Sequence, residues 1–244
     1  MSVEITKTIK PNTPEWKALF GEEDFQMHFH QCEVPTEIYT DGDLSALLDP
    51  SRPRVVLTGT RDNRAWEPHI ILEVVSKLAS LPCKPVIISG LAIGTDAHVH
   101  KYALELGLPT VAVMPTGLDK IYPFANEGLA ERIRNTPGCA LLTQFPVNTA
   151  PMALNFLARN TTMAMLADVG IVLFSKKKGG SMIVARKMVD LGKPVWAVPG
   201  RLDDVNSAGC NDLIRQGYAI ILSDVSDLEN IIPKTNPIRY GKQS

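Results

Sequence analysis

The sequence has no signal peptide, no apolar run of membrane length and no closely spaced cysteines. Its opening, MSVEITKTIKPNTPEW, contains no apolar core of signal-peptide length, and no later stretch approaches the ~18 consecutive apolar residues of a membrane span. The four cysteines lie at least 51 positions apart, which fits neither a CxxC metal site nor a secreted disulfide framework. We therefore expect a cytoplasmic protein with free thiols and no membrane partner.

Aromatic residues are scarce, at 6% of 244 positions, and the formal net charge is only −1. The hydrophobic content of 45% excludes intrinsic disorder, and a chain of this length buries enough surface to fold without a metal or a disulfide. Residues 1–50 contain three lysines against ten acidic residues, a balance of −7, so residues 51–244 carry +6. This body permits a polyanionic ligand without requiring one.

The pattern along the chain predicts an N-terminal acidic extension (1–50), a core domain (51–233) and a frayed tail (234–244). The extension has a possible short helix around residues 16–20 and an extended piece at 37–40. In the core, short apolar runs alternate with segments of helical periodicity. The predicted strands span 54–58, 85–89, 110–114, 140–143, 169–174, 195–198 and 219–222. This alternation predicts an α/β fold with a mostly parallel sheet and helices on both faces.

Three glycine-bearing loops follow predicted strands, at the sheet edge where open α/β folds bind ligands. The first is Gly59, Thr60 and Arg61; the second contains Ser89, Gly90 and Gly94; the third is Lys176, Lys177, Lys178, Gly179, Gly180 and Ser181. Glycine lets backbone N–H groups approach an anion, and a helix N-terminus adds unpaired donors. Tight turns also need glycine for steric reasons alone, but three loops at one edge predict a phosphate-binding site. Thr95 or Asp96 is expected to cap the helix after the second loop.

Cations accompany these loops. Arg61, beside backbone donors, suits a phosphate, although a surface salt bridge is an equally good interpretation. The lysine triplet either binds phosphate or keeps a loop solvated. Arg159 and Asn160 follow Phe156 in MALNFLARNTTMAML, a combination of charge and π-face that suits an unpaired strand, while Phe156 by itself is typical of a core.

Metal-binding and catalytic signatures are weak. His28, His30 and Cys32 alternate and would share one face of a strand, but a fourth ligand at suitable spacing is missing. His98 and His100 suit structural roles. The sequence has no Walker A loop, no GxSxG elbow and no GxGxxG with an acidic partner. We expect no metal, no cofactor and no catalytic residues.

The loops belong to a longer series of motifs, SGLAIGTDAHVHKYAL, GLDKIYP, NFLARN, GGSMIVARK, AVPG and GCNDLIRQGY. In this order and spacing, from about residue 37 to 232, they resemble the DNA-processing protein A family, also called DprA or Smf. The resemblance implies an extended Rossmann-like domain that binds single-stranded DNA, forms a homodimer and helps load a RecA-type recombinase in transformation and recombination. We expect no winged helix after residue 232.

The matching positions are Gly59 and Arg61 for the family's Gly-Ser-Arg turn; Ser89, Gly90, Gly94, Asp96 and His100 for its Ser-Gly-Leu-Ala-Arg-Gly-Ile-Asp run and histidine; Arg159 and Asn160 for Arg-Asn; Gly180 and Ser181 for Ser-Gly-Ser; and Gly209, Asn211 and Arg215 for its late Gly-Thr-Asn segment. Ile93 and Thr161 stand where the family has arginine, Gln144 replaces a glutamate, and Phe174-Ser175 replaces Glu-Ala. These departures predict the loss of two cations from the pocket.

Three functions remain open from the sequence. The first is a non-catalytic binder of single-stranded DNA whose affinity depends on salt, because phosphates supply the energy. The second is an enzyme of the phosphoribohydrolase type acting on a nucleotide, for which a carboxylate must lie near the glycine loop; Asp96 and Asp119 qualify only if the fold brings them there. The third is a sensor that binds a small nucleotide without turnover.

Overall fold

The computed structural model describes residues 7–21, 28–30 and 33–233. The predicted tail and Cys32 of the possible metal group lie outside these ranges. The strands are β1 (Lys7–Ile9), β2 (Ile38–Gly42), β3 (Arg54–Thr58), β4 (Val86–Ser89), β5 (Thr110–Val113), β6 (Ala140–Thr143), β7 (Val169–Val172), β8 (Val195–Ala197) and β9 (Ile220–Ile221). The helices are α1 (Pro14–Phe20), α2 (Ser45–Leu48), α3 (Glu67–Ser80), α4 (Thr95–Glu105), α5 (Glu127–Arg134), α6 (Ala153–Leu166), α7 (Gly180–Asp190), α8 (Ala208–Arg215) and α9 (Leu228–Ile231).

One sheet contains all these strands, in the order β1-β2-β6-β5-β4-β3-β7-β8-β9. The pairings from β3 to β9 are parallel, and β1 and β2 are antiparallel to their neighbours. Each of the seven strands predicted in the core is present, with ends that differ by at most two residues. The predicted mostly parallel α/β fold is confirmed.

Both faces of the sheet are buried, as the apolar strands require. In β3, Val55 and Leu57 pack with α3 and α4, whereas Val56 belongs to the cluster formed with α6 and α7. Successive residues of a strand point to opposite faces, so a strand covered on both sides is apolar throughout. None of the helices in the described ranges is long and apolar enough to cross a membrane.

The described part of the N-terminal extension joins the same sheet. The expected helix and extended piece are confirmed as α1 and β2, but β1 was not predicted. Thr13 caps α1 by accepting from Trp16 N at 3.2 Å. β2 pairs with β6, with Tyr39 opposite Thr143, so this segment extends the sheet beyond its parallel part.

Arg54 connects the extension to the core. Its guanidinium is buried and donates to the carbonyls of Ala18, Leu19, Leu47 and Leu166. These carbonyls lie at the C-terminal ends of α1, α2 and α6, which leave acceptors without intrahelical partners and carry partial negative charge. The single guanidinium of Arg54 therefore donates hydrogen bonds to carbonyls at the ends of three helices.

The order of the strands places a crevice beside β3. From β3 the chain adds β4, β5 and β6 on one side, and it then returns to add β7, β8 and β9 on the other. Ligands of open α/β sheets bind where the direction of strand addition reverses, outside the carboxyl ends of the strands. The loops after β3 and β7 flank this point.

Candidate anion-binding site

A cavity of about 430 Å³ lies at this crevice, within the size range of small-ligand pockets. Its walls come from the turn after β3, the start of α4, one face of α6 and the loop that opens α7. Nine of the predicted site residues line it: Gly59, Thr60, Arg61, Arg159, Asn160, Lys176, Gly179, Gly180 and Ser181. The first and third loops and the Arg-Asn pair are therefore brought together.

The second glycine loop lies behind the wall. Ser89 is fully buried and donates to Leu57 O at 2.7 Å. A Cβ at Gly90 would lie 1.7 Å from Arg159 Nη1, and a Cβ at Gly94, where φ is +84°, would lie 2.6 Å from Thr60 O. None of these three predicted residues lines the cavity, because Ser89 is bonded to Leu57 O and the two glycines allow neighbouring segments to pack closely. From this loop, Ala92 lines the cavity, together with Asp96 from the first turn of α4.

The predicted cap of α4 is wrong. The residue before the first turn is Gly94, and no side chain in the described ranges caps it. The Asp96 carboxylate instead accepts from Gly90 N at 3.2 Å, so it braces the preceding loop. Thr95 Oγ1 accepts from Asn63 at 3.1 Å.

Arg159 and Asp96 are both buried at the cavity floor, where their opposite charges attract each other. Arg159 is 5% exposed, and its Nη1 donates to Gly90 O and, at 3.2 Å, to Val113 O. Burial lowers the pKa of Arg159 to about 10, opposed by the Asp96 charge, so the guanidinium is cationic at neutral pH. Burial also raises the pKa of Asp96, opposed by Arg159. Arg159 Nε is buried and has no hydrogen-bond partner among the described residues.

Phe156 lies close to two guanidinium groups. Arg61 Cζ lies 5.5 Å and Arg159 Cζ 6.0 Å from its ring centroid, and the edge of Tyr122 packs against it at 5.6 Å. Phe156 is half-buried and lines the cavity, and it also lines a smaller recess next to it with Ile93 and Tyr122. The interpretation of Phe156 as a core residue was incomplete.

The opposite wall is the N-terminus of α7. Gly179 precedes the helix, and no side chain in the described ranges caps it, which leaves backbone donors and the positive dipole end at the cavity. Lys176 Nζ reaches across to Asp62 Oδ2 at 3.1 Å. Lys177 and Lys178 are exposed and do not line the cavity.

The charged residues of the lining nearly balance. Arg61, Arg159 and Lys176 face Asp62 and Asp96, a net charge of +1 when all are ionised. Sequence reasoning missed Asp62, because nothing around an isolated exposed aspartate marks it as part of a site.

Two of the positions that depart from the family pattern, Gln144 and Thr161, lie in an internal network. Thr161 is buried and donates to Glu33 Oε2 at 2.7 Å, and Lys187 Nζ contacts the same oxygen. Gln144 Oε1 accepts from Thr162 in the same cluster. Thr161 itself does not line the cavity, because its side chain joins an internal network. Ile93 is 52% exposed and lines the smaller recess.

The histidines of α4 have structural contacts. His100 is buried and shares a 2.8 Å hydrogen bond with Thr110 Oγ1 through Nδ1. His98 stacks on Tyr102 with centroids 5.9 Å apart. Among the late motif residues, Asn211 holds Gly200 through hydrogen bonds of 2.9 and 3.1 Å.

Comparisons with known proteins show similarity over most of the chain. A family profile described as DNA recombination-mediator protein A matches residues 17–233. DNA processing protein DprA of Streptococcus pneumoniae is 33% identical over 191 residues, which cover 78% of this chain and 65% of that protein; that of Bacillus subtilis is 33% identical over 206 residues, covering 84% and 66%. The chain thus spans about two thirds of the length of these curated relatives.

Solved structures give the same result. DNA processing protein A from Helicobacter pylori, in a structure that concerns its binding of single-stranded DNA, superposes with a TM-score of 0.77 and 28% identity, covering 94% of this chain and 97% of that one. The Streptococcus pneumoniae structure has a TM-score of 0.78 at 28% identity and covers 93% and 74%. The matched span and these relatives show that the chain belongs to the DNA recombination-mediator protein A family.

Proposed function

We propose that the protein binds single-stranded DNA in this cavity without breaking a bond, as a step in recombination and transformation. The observation that carries the proposal is the half-buried Phe156 ring in the cavity wall, with one exposed guanidinium, Arg61, and one buried guanidinium, Arg159, close to it. Phosphates accept hydrogen bonds from Arg61 and from the N–H groups at the start of α7, and the buried charge of Arg159 attracts them. An unpaired base stacks on the aromatic ring.

The Helicobacter pylori relative supports the ligand, since its structure concerns a single-stranded DNA binding mode and its fold covers almost all of this chain. The Phe156 ring in the wall of the site supports a single strand over a duplex. A base stacks on the Phe156 ring only when it is unpaired and unstacked from its neighbours, as in a single strand.

The test is a titration of single-stranded and duplex oligonucleotides at two salt concentrations, with mononucleotides as competitors. We expect tighter binding of the single strand, an affinity that falls with salt, and little dependence on sequence. Equal affinity for duplex, or no measurable binding of either, contradicts the proposal. Displacement by low concentrations of a mononucleotide identifies a small-ligand sensor instead.

One observation favours a second candidate, a nucleotide-hydrolysing enzyme, because Asp96 does line the cavity. Its carboxylate is nevertheless committed to Gly90 N and faces Arg159, and it lies within 3.4 Å of Thr58 Oγ1. We propose that Asp96 has a structural role and that the protein is not an enzyme. Release of free base from nucleoside monophosphates by the purified protein, absent in Asp96→Asn, contradicts this.

We further propose that the protein acts in the cytoplasm as a homodimer that assists a RecA-type recombinase. The outer edge of the sheet supports the dimer. β9 ends the sheet with Ile220 and Ile221 about half exposed, at 50% and 47%, and such edges favour pairing with another chain. Analytical ultracentrifugation of the wild type and Ile221→Lys tests the dimer: we expect a dimer and a monomer respectively.

Recombinase filament formation on single-stranded DNA, with and without the protein, tests the partner.

A further inference from the structure

Glu67, the first residue of α3, buries a carboxylate behind the candidate site. It is 0% exposed. Its Oε2 accepts from Asn63 Nδ2 at 2.8 Å and from Arg64 N at 2.9 Å, and its Oε1 accepts from Asn206 Nδ2 at 2.9 Å. All three donors are neutral N–H groups, so hydrogen bonds stabilise this buried charge.

The partners of Glu67 connect to both walls of the cavity. Asn63 lies two residues after Arg61, and its amide also donates to Thr95 Oγ1 at 3.1 Å. The Thr95 side chain closes against Gly59, where a Cβ would lie 2.6 Å from Thr95 Oγ1. On one side, Glu67 therefore holds the turn that carries Arg61.

On the other side, Asn206 connects Glu67 to the loop that opens α7. Asn206 Nδ2 donates to Asp62 O at 2.7 Å, and Asn206 O accepts from Ser175 N at 2.5 Å. Ser175 immediately precedes Lys176 and shares a 2.8 Å hydrogen bond with Ser181 Oγ. The carboxylate thus lies between the Arg61 turn and the Lys176–Ser181 loop.

We infer that Glu67 is a positioning residue that sets the separation of the two cavity walls and thereby the placing of Arg61 against a bound phosphate. The inference rests on the proposed function. Glu67 is well placed for this role, because α3 is anchored in the core through Ile71, Val74 and Leu78 and the proline after Glu67 fixes the first turn.

Glutamine cannot replace the carboxylate at this position. Both oxygens of Glu67 face N–H donors, so in either orientation the glutamine NH₂ group meets a donor instead of an acceptor. Glu67→Gln therefore loses at least one of the three hydrogen bonds, while the shape of the side chain is kept.

The sign of the effect separates positioning from electrostatics. Removing a negative charge near an anion site strengthens the binding of a phosphate if charge alone matters. If Glu67 positions the walls, Glu67→Gln instead weakens binding of a single-stranded oligonucleotide, by about tenfold for one well-placed hydrogen bond lost. The matched control is Glu73→Gln, the same change on an exposed position of the same helix, for which we expect unchanged affinity.

The same substitution in an Arg61→Ala protein tests whether Glu67 acts through Arg61. In an Arg61→Ala protein, Glu67→Gln adds no further loss if it acts by placing that guanidinium. An equal or tighter affinity of Glu67→Gln in the wild-type background, or the same loss in both backgrounds, overturns the inference. If Glu67→Gln does not fold, Asn63→Ala, which removes a single hydrogen-bond partner, takes its place in the same comparison.

Hydrogen exchange without DNA separates this inference from the proposed function. We expect faster exchange of the amides of residues 60–64 and 175–181 in Glu67→Gln than in Glu73→Gln, with the core strands unchanged. A wild-type protein that does not bind the oligonucleotide refutes the proposed function, and the exchange comparison still tests the positioning. Identical exchange in the two variants overturns the positioning role.

Discussion

The two arginines beside Phe156 differ in what surrounds them. Arg61 is exposed and lines the rim of the cavity, whereas Arg159 is buried and bonded to two backbone carbonyls. From the sequence, both residues are predicted as cations beside the site. Their different burial could not be predicted, because it depends on how α6 crosses the sheet. The same substitution has different consequences at the two positions.

Arg61→Ala is expected to weaken binding of single-stranded DNA with little effect on folding. The loss of one phosphate contact reduces the slope of log affinity against log salt by about one unit, and an exposed substitution changes the free energy of unfolding by less than ~0.5 kcal/mol. Anisotropy titrations over a salt series measure the slope. An unchanged slope removes Arg61 from the site.

Arg159→Ala is expected to destabilise the fold as well. It leaves the carbonyls of Gly90 and Val113 without this donor, and a buried unsatisfied acceptor costs about 1–3 kcal/mol. Urea denaturation measures this loss. A decrease below about 1 kcal/mol contradicts this structural role of Arg159.

His100 gives a pH dependence that only a buried imidazole produces. Burial, helped by the nearby Arg159 charge, lowers the pKa of His100 to about 3. Below its unfolded pKa of about 6.5 the unfolded chain takes up a proton that the folded state excludes, so stability falls as pH drops from about 6.5 towards 3. Relative to His100→Gln, the wild type should lose about 3 kcal/mol between pH 6.5 and 4. Parallel curves for the two proteins refute this, as does an NMR titration of His100 near pH 6.

At the scale of elements, Arg54 joins three helix ends to the first core strand. Arg54→Met keeps much of the buried volume but leaves the carbonyls of α1, α2 and α6 without this donor, and a buried unsatisfied acceptor costs about 1–3 kcal/mol. We expect the free energy of unfolding to fall by at least ~3 kcal/mol, with the fastest hydrogen exchange appearing in residues 14–20. A loss under 1 kcal/mol, or exchange unchanged in α1, contradicts the connection.

The core strands could be predicted because their signal is local. Short apolar runs ended by glycine or polar residues identify β3 to β9 to within two residues. β1 could not be predicted, since Lys7–Ile9 is a three-residue edge strand whose pairing with β2 depends on residues some thirty positions away. The cap of α4 was wrong for a related reason: Asp96 finds a partner in the preceding loop that sequence spacing does not reveal.

At the scale of the molecule, the position of the site follows from the strand order. Nine residues predicted from the glycine loops and the neighbouring cations do line one cavity, because the carboxyl ends of parallel strands meet at one edge of the sheet. The sequence did not show which glycine loops line the cavity and which one lies behind its wall, since that depends on how neighbouring segments pack against Gly90 and Gly94. It also gave no sign of Glu67, whose partners are brought together only by the tertiary fold.

The most direct measurement is an NMR titration of the side-chain Nε–H signal of Arg159 and the backbone amides of residues 59–61 and 179–181 with a short single-stranded oligonucleotide. If phosphates enter the cavity, these signals shift together and saturate with the same affinity, because Arg159 and both of these loops line the same cavity. Binding that leaves these signals unchanged while others shift places the DNA elsewhere and contradicts the account.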